Sequence, residues 1–354
     1  MEAATPQIKR LRSSRRSTTA AKSDFFDGLP DDLVVFILCK LSSSASSPSD
    51  LISVLITCKR LNRLGLYSLV LSKAGPKAFA IRAKNWSDSA HRFLKQCVSA
   101  GNVEASYTLG MIQFYCLQNR ASGASLMAKA AMRSHAPALY SLAVIQFNGS
   151  GCSKKGKDLR AGVAFCARAA SLGLVDALRE LGHCLQDGYG VKQNVAEGRR
   201  LLVQANAREL ASVLRSSAAW RSHHYQHFYA CLTGLVCCPL LSDYGCNVPV
   251  QEFHPVNRFM REWYGSSRWM AGQGMRLCSH MGCGRPETRP HEFRRCSVCG
   301  TVNYCSRGCQ ALDWKLRHNV KCKPMERWLA VDGEAEEELG GLVEGGEGEN
   351  VAVG

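Results

Sequence analysis

Eight cysteine and histidine side chains near the C-terminal end are the residues of this sequence best suited to chemistry. They form four short pairs along the chain: Cys278 with Cys283, Cys296 with Cys299, Cys305 with Cys309, and His318 with Cys322. Structural zinc takes four thiolate or imidazole ligands in a tetrahedron, and a short pair can supply one edge of it. The eight ligands therefore predict two closed zinc sites, without the open position that a catalytic zinc needs.

The alternative is a chance cluster of structural cysteines that binds no metal. Four ordered pairs within the 45 residues from Cys278 to Cys322 argue against chance. The turn glycine of the segment CSVCG is typical of a zinc knuckle, and His318 and Cys322 are four residues apart, on one face of a helix. Because the stretch is too small for a hydrophobic core of its own, we expect zinc to supply most of its folding free energy.

The spacing of the last three pairs closely resembles the MYND-type zinc finger. The match includes Tyr304, Gln310, Asp313 and Trp314 around the ligands. The resemblance implies interleaved pairs, with one zinc on Cys278, Cys283, Cys305 and Cys309 and the other on Cys296, Cys299, His318 and Cys322. It also implies a groove for short peptides lined by Tyr304, Gln310 and Trp314, although Trp314 could instead pack the small core. The first pair has four intervening residues where the family has two, so His280 is the alternative to Cys283.

A helical unit is predicted at the N-terminal end of the ordered chain. Pro30 precedes a run in which Leu33, Val34, Ile37 and Leu38 recur at helical spacing, and Asp50 is placed to cap a second helix after a serine-rich loop. The segment from Asp24 to Ala74 resembles an F-box. The resemblance implies docking onto the helical adaptor of a cullin-RING ubiquitin ligase through Leu29, Pro30, Leu33, Val34 and Ile37. A plain helical core is the alternative.

An internal repeat occupies residues 101–206. Three segments align with Ala105, Ala138 and Ala177 in register, and each is followed by a second helical segment that carries small residues at one position. Such a period predicts helix pairs that stack into a solenoid. The pattern resembles Sel-one-like repeats, relatives of the tetratricopeptide repeat, and this implies a protein-binding surface.

The predicted fold is therefore mostly α: a helical F-box, an α-solenoid of about three helix pairs and a small two-zinc finger, with disordered termini. The predicted boundaries are 1–22 for a disordered basic tail, 23–75 for the F-box, 76–206 for the repeats, 207–277 for an aromatic-rich cap and linker, 278–322 for the finger, and 323–354 for a mostly disordered acidic tail. His223, His224 and His227 in the linker are interpreted as surface or packing residues rather than metal ligands.

The composition and the terminal segments of the chain suggest where in the cell the protein resides and what it binds. The 354 residues include eighteen cysteines, but we find neither a signal peptide nor a membrane span, so we expect thiols and metal in the nucleus, the cytoplasm or both. Residues 9–16 are either an import signal or a solvated basic tail. The formal charge of +16 suggests an acidic partner. Direct nucleic-acid binding is not expected, because basic residues around the finger are expected to stabilise its thiolates: Arg294, Arg295, Arg307, Lys315, Arg317, Lys321 and Lys323.

Together the three resemblances predict a non-catalytic substrate receptor of an SCF-type ubiquitin ligase. In this hypothesis the F-box binds the adaptor and cullin complex, while the repeats and the finger bind the target protein. The alternative is a nuclear transcriptional or chromatin adaptor that binds partner peptides through the finger. A methyltransferase with a SET domain is disfavoured, because the sequence around the finger lacks a cofactor-binding or catalytic segment.

Removal of zinc provides the first test. We expect a chelator to extract two zinc ions per chain and to unfold the finger, because the metal holds its four ligand pairs together. Metal release measured with a chromogenic chelator, in parallel with near-ultraviolet circular dichroism, checks this. A native signal that persists after both ions have been removed would contradict it.

Overall fold

The computed structural model describes residues 26, 28–152, 154–216, 253–265 and 275–324. Within these ranges the chain is built from helices and one two-stranded sheet, so the predicted mostly α fold is confirmed. The basic tail at 1–22, the three linker histidines and residues 325–354 of the acidic tail lie outside the described residues. No helix in the described ranges is long and apolar enough to cross a membrane.

The N-terminal unit consists of four short helices, α1 (Asp31–Ser44), α2 (Pro48–Leu55), α3 (Lys59–Gly65) and α4 (Ser68–Ser72). Its small core is formed by Val34, Val35, Leu38, Leu64 and Val70. The guanidinium of Arg60 on α3 pairs with Asp31 at the start of α1 at 2.7 Å and thereby holds the two helices together.

Two local predictions for this unit were wrong in detail. The serine-rich loop is shorter than predicted, because α1 continues to Ser44 and α2 begins at Pro48. Within α1 the hydroxyls of Ser43 and Ser44 donate to the carbonyl of Lys40. The N-cap of α2 is Ser47, and Asp50 sits at the third helical position. The Asp50 carboxylate accepts hydrogen bonds from Ser46 and Ser47, which lower the pKa of Asp50 to about 2. This reciprocal arrangement is a capping box.

The solenoid follows two short 3₁₀ turns, Pro76–Phe79 and Ala83–Asn85. Helix α5 spans Asp88–Ser99, and α6 spans Val103–Met111 and continues as a π-helical turn to Cys116. The remaining helices are α7 (Arg120–Met132), α8 (Ala136–Asn148), α9 (Leu159–Ser171), α10 (Val175–Asp187) and α11 (Val195–Ser216), with a 3₁₀ turn at Lys154–Gly156 between α8 and α9.

Helix pairs α6–α7, α8–α9 and α10–α11 are the three predicted repeats. The aligned Ala105, Ala138 and Ala177 are all fully buried, as expected where helices cross closely. In the first pair a Cβ on Gly110 would lie 3.0 Å from the carbonyl oxygen of Gly123. Glycine therefore permits the closest approach of α6 to α7, and Gly182 and Gly198 repeat this contact in the third pair.

Helix α12 (Pro255–Gly265) lies in the predicted linker and packs back on the first repeat. It buries Val256, Phe259 and Met260, and its contacts are with the two 3₁₀ turns and the π-helical turn. The segment was predicted as a cap on the solenoid and a link to the finger, without a position on a particular repeat. The finger then begins and contains β1 (Arg294–Arg295) paired antiparallel with β2 (Asn303–Tyr304), α13 (Arg307–Asp313) with a π-helical extension to His318, and α14 (Asn319–Lys321).

A partly buried carboxylate joins two repeats to α12. Glu104 on α6 accepts hydrogen bonds from Nε2 of His135 at 3.0 Å and from Nε2 of His254 at 2.6 Å. Nδ1 of His135 accepts a hydrogen bond from a backbone N–H at the start of α8, and Nδ1 of His254 accepts one at the start of α12. The proton of each ring therefore lies on Nε2. Burial alone would raise the pKa of Glu104, but the two histidine hydrogen bonds outweigh it and lower this pKa from 4.5 to about 2.

The second test replaces this carboxylate. We expect Glu104→Gln to lower the free energy of unfolding at pH 7 by up to about 3 kcal/mol, the value that corresponds to the lowered pKa. Because the folded pKa is lowered, this contribution is present in full above pH 4.5 and is lost as the pH falls towards 2. Urea unfolding measures it. The control is Glu197→Gln, an exposed carboxylate paired with Arg200 on α11, for which little change is expected.

Candidate metal centre

The first ligand cluster is buried under the repeats. Its four members are Cys278, Cys283, Cys305 and Cys309, whose sulfur atoms all lie within 4.8 Å of one another. The Sγ atoms of Cys283 and Cys305 are 3.5 Å apart, and those of Cys305 and Cys309 are 3.7 Å apart. All four side chains are buried, so the site is closed to solvent.

The second cluster joins the knuckle to the C-terminal helices of the finger. It consists of Cys296, Cys299, His318 and Cys322, with 3.4 Å between Cys299 Sγ and His318 Nε2 and 3.8 Å between the sulfurs of Cys296 and Cys322. Gly300 adopts a φ of +64° in the knuckle turn, a conformation that favours glycine. Burial raises the pKa of Cys299, but hydrogen bonds from Thr301 and the backbone outweigh it and lower the pKa to about 6.

These distances fit two tetrahedral zinc ions. A zinc–sulfur bond of about 2.3 Å puts two tetrahedral sulfur ligands about 3.8 Å apart. The observed separations of 3.5–3.8 Å between sulfurs agree with this value. With four soft ligands each, both sites are structural zinc sites: Cys278, Cys283, Cys305 and Cys309 would hold the first ion, and Cys296, Cys299, His318 and Cys322 the second.

The unusual spacing of the first pair is absorbed by a turn. The N–H of Cys283 donates to the carbonyl of His280 at 3.0 Å, and the two additional residues are accommodated within this turn. Cys283 therefore reaches the first cluster, whereas His280 is not a member of either cluster. His280 is buried beside it, with Nδ1 unpartnered among the described residues.

The basic residue at the first cluster is Arg285. Its Nη1 donates to Cys283 Sγ at 3.4 Å, and its Nη2 donates to Ser141 on α8 at 2.9 Å. The guanidinium also lies 5.5 Å from the centre of the Tyr140 ring. It thus compensates part of the −2 charge of a four-thiolate zinc site.

Two of the basic residues expected around the thiolates have other partners. Arg307 pairs with Asp187 of α10 at 2.7 Å and lies over the ring of Tyr189. Arg317 pairs with Asp313 at 3.2 Å. These two arginines attach the finger to the repeats or brace it internally, so that part of the prediction was wrong, because the partners lie in elements distant in sequence.

The repeats bind the first turn of α13 through a buried carboxylate. Glu180 of α10 accepts hydrogen bonds from the backbone N–H groups of Arg307 at 3.2 Å and Gly308 at 2.6 Å. Burial raises the pKa of Glu180, and the positive end of the helix favours its charged form. The side chain of Asn148 on α8 donates to the carbonyl of Cys305 at 2.8 Å. Two repeats therefore position the third ligand pair.

The finger is consequently not a separate module. Cys278, Cys283, Phe293, Tyr304 and Cys305 belong to the same buried cluster of side chains as the solenoid core. The sequence analysis expected zinc to supply most of the folding free energy of the finger, and the sequence could not show that the repeats supply a wall of its core.

The residues assigned to peptide binding differ in their exposure to solvent. Tyr304 is buried and donates its hydroxyl to Asp313 at 2.8 Å, so its ring and hydroxyl serve the interior of the finger. Trp314 is 43% exposed, and its ring contacts that of the ligand His318 at 5.7 Å. Gln310 is half-buried on α13. Trp314 and Gln310 remain available for a partner.

The residues assigned to adaptor binding also divide into two groups. Leu33, Phe36 and Ile37 on α1 are 48%, 61% and 42% exposed and form one apolar stripe. Pro30 is exposed and Leu29 is half-buried beside this stripe. Val34 is buried in the small core, so assigning it to the contact was wrong. Phe36 was missed, although its spacing from Leu33 is helical.

Several residues that hold the site were not singled out from the sequence, chiefly Glu180, Arg285 and Asn148. The repeat offered one signal. In the alignment Glu180 occupies the position of Thr108 and Ser141, so polar groups recur at one place on the inner helices. Only the fold shows that this position faces the finger.

Models of known protein families match the repeats and the finger. A model for plant tetratrico peptide repeats matches residues 77–176, one for the Sel1 repeat matches 175–208, and one for the MYND finger matches 278–322. A solved Sel1 repeat protein from Oxalobacter formigenes is 22% identical, covers 33% of this chain and 89% of its own, and has a TM-score of 0.30.

Two curated proteins of Arabidopsis thaliana named as F-box proteins are similar over nearly the whole chain. The first is 63% identical and covers 95% of this chain and 90% of its own length. The second is 61% identical and covers 98% of this chain and 95% of its own length.

The third test concerns the arginine at the first cluster. We expect Arg285→Met to accelerate the release of one of the two zinc ions to a chelator by about 10- to 100-fold, as is common when a group behind a metal ligand is lost. The matched control is Arg160→Met, an exposed arginine on α9, outside the finger. Equal release rates for both variants and the unchanged protein would show that Arg285 does not stabilise the site.

Proposed function

This chain belongs to the family of F-box proteins that carry Sel1-like repeats and a MYND finger, and we propose that it is a substrate-recognition subunit of an SCF-type ubiquitin ligase. In this role α1 docks on the helical adaptor of the cullin-RING complex, and the repeats with the finger bind the target protein. The relatives' name, F-box protein, supports the adaptor contact.

The observation that carries the proposal is the apolar stripe of Leu33, Phe36 and Ile37. Three large side chains are exposed at helical spacing on a helix whose opposite face is buried, and among the described residues they leave an apolar surface without a partner. Burial of such side chains in a partner yields about 1.5–3 kcal/mol each. A helix face of this kind is typical of recognition by a helical groove.

We propose further that the chain contributes no catalytic step. Both zinc clusters hold four protein ligands, and a zinc with four protein ligands cannot activate water. A reducing location, in the nucleus, the cytoplasm or both, is supported by the fourteen cysteines in the described ranges, none of which forms a disulfide.

A second candidate is a nuclear adaptor that binds partner peptides through the finger. The exposed face of Trp314 favours it, because an exposed tryptophan held in place by the zinc ligand His318 is a rigid apolar anchor. The two candidates differ in whether α1 binds a ligase adaptor.

The fourth test removes the stripe. We expect the double change Leu33→Asp with Phe36→Asp to abolish co-purification with the ligase adaptor, because two carboxylates would enter an apolar interface. The matched control is Leu172→Asp, which changes an exposed leucine at the end of α9 and should leave binding intact. Pull-down of the purified adaptor checks both variants, and circular dichroism checks their folding. An unchanged protein that fails to bind any adaptor would favour the second candidate.

A further inference from the structure

A cavity of about 310 Å³ opens where the repeats, α12 and the finger meet. Its walls include Tyr107 and Tyr140 from the repeats, Phe253 and Pro255 from the start of α12, and Leu312 and Leu316 from the finger. Rings and aliphatic groups therefore surround a space large enough for one large side chain with its adjoining backbone.

The repeat itself builds one wall of this cavity. Tyr107, Tyr140 and Arg179 occupy the same position of the three aligned repeats, two residues after the buried alanine. All three line the cavity. A single repeat position thus presents a row of side chains to the cavity, one from each inner helix α6, α8 and α10.

The floor contains buried nitrogen atoms without a partner. Arg179, Arg285 and His280 are 2%, 4% and 4% exposed, yet Arg179 Nε, Arg285 Nε and His280 Nδ1 form no hydrogen bond among the described residues. All three line a smaller space at the base, as does Asn257. Each Nε–H is a donor that requires an acceptor.

The charges around the floor disfavour an anionic ligand. Arg179 already pairs with Asp176 at 3.3 Å and with Glu209, and Arg285 contacts the ligand sulfur of Cys283 at 3.4 Å. An added carboxylate would lie near two carboxylates and a zinc site of net charge −2. A neutral acceptor, such as a carbonyl or carboxamide oxygen, satisfies the donors without this repulsion.

The cavity extends along the molecule. A second space of about 380 Å³ shares Lys77, Phe253, Pro255 and Asn257 with the first and reaches Ser46 at the end of the N-terminal unit. The two adjoining spaces, one lined by Leu312 of α13 and the other by Ser46 of the loop between α1 and α2, are together called the groove. A segment of chain that crosses the four shared residues can contact both spaces, whereas a compact small molecule would occupy one.

We propose that this groove binds an extended, uncharged peptide segment of the target protein. A large apolar side chain of the segment occupies the space between Tyr107, Tyr140 and Leu316. A neighbouring carbonyl or carboxamide oxygen accepts hydrogen bonds from Nε of Arg179 and Arg285. The inference rests on the proposed role as a substrate receptor and gives that receptor a binding site distinct from the Gln310 and Trp314 face.

The experiment selects random dodecapeptides displayed on phage against the full-length, zinc-loaded protein. We expect the selected peptides to share a large apolar residue beside asparagine, glutamine or another uncharged residue. Binding of these peptides should weaken by about tenfold or more in Pro137→Glu and in Leu316→Glu, which put a carboxylate into the groove. Glutamate suits the first turn of α8, where Pro137 lies, so that variant should fold.

Two controls and a cross-link separate the possible results. Leu172→Glu and Trp314→Ala, both outside the groove lining, should bind the peptides as the unchanged protein does. Failure to select any peptide, selection of predominantly acidic peptides, or loss of binding only in Trp314→Ala would overturn the proposal. So would a photo-cross-linker at position 316 that joins residues 217–252 of the same chain, because the groove would then be occupied internally.

Adaptor pull-down on the same preparations keeps the two proposals apart. Adaptor binding without peptide binding would overturn the groove and leave the ligase role standing. Peptide binding without adaptor binding would overturn the ligase role and keep a peptide-binding groove.

Discussion

The contact between the Arg285 guanidinium and the first zinc cluster is the interaction on which the rest of this arrangement depends. A four-thiolate zinc site carries a net charge of −2, and enclosing it under apolar repeats requires a compensating positive group. Arg285 supplies it and, through Ser141 and Tyr140, joins the cluster to α8. The same side chain therefore serves both the metal site and the attachment of the finger to the repeats.

Further contacts of this kind join the N-terminal unit, the repeats, α12 and the finger to one another. The N-terminal unit is tied to the first repeat by Asn102, whose side chain donates to the carbonyls of Leu71 and Ala74. Glu104 ties the first two repeats to α12, and Glu180 ties the third to the finger. A receptor built this way would hold a bound segment at a defined place relative to its F-box, which suits the transfer of ubiquitin by another subunit.

The elements that could be read from the sequence were those with local periodicity or metal chemistry. Helical spacing indicated α1 and the three repeats, and ligand pairs indicated the zinc sites. Each of these patterns is formed by residues that are only a few positions apart in the chain. The errors arose where a local pattern was compatible with two outcomes. Val34 and Phe36 both suit one helix, but which of them faces the core depends on how α3 and α4 pack against α1.

The sequence alone determined which residues bind zinc and that helix pairs repeat, because spacing and register are properties of the chain. It also indicated that Cys283 was a candidate despite its spacing. The tertiary structure decided that the finger shares a core with the repeats, that Arg285 rather than the neighbouring basic residues meets a thiolate, and that α12 returns to the first repeat. The shared core and the return of α12 depend on contacts between residues more than a hundred positions apart, such as Glu180 with Gly308, and such contacts are set only when the surfaces meet.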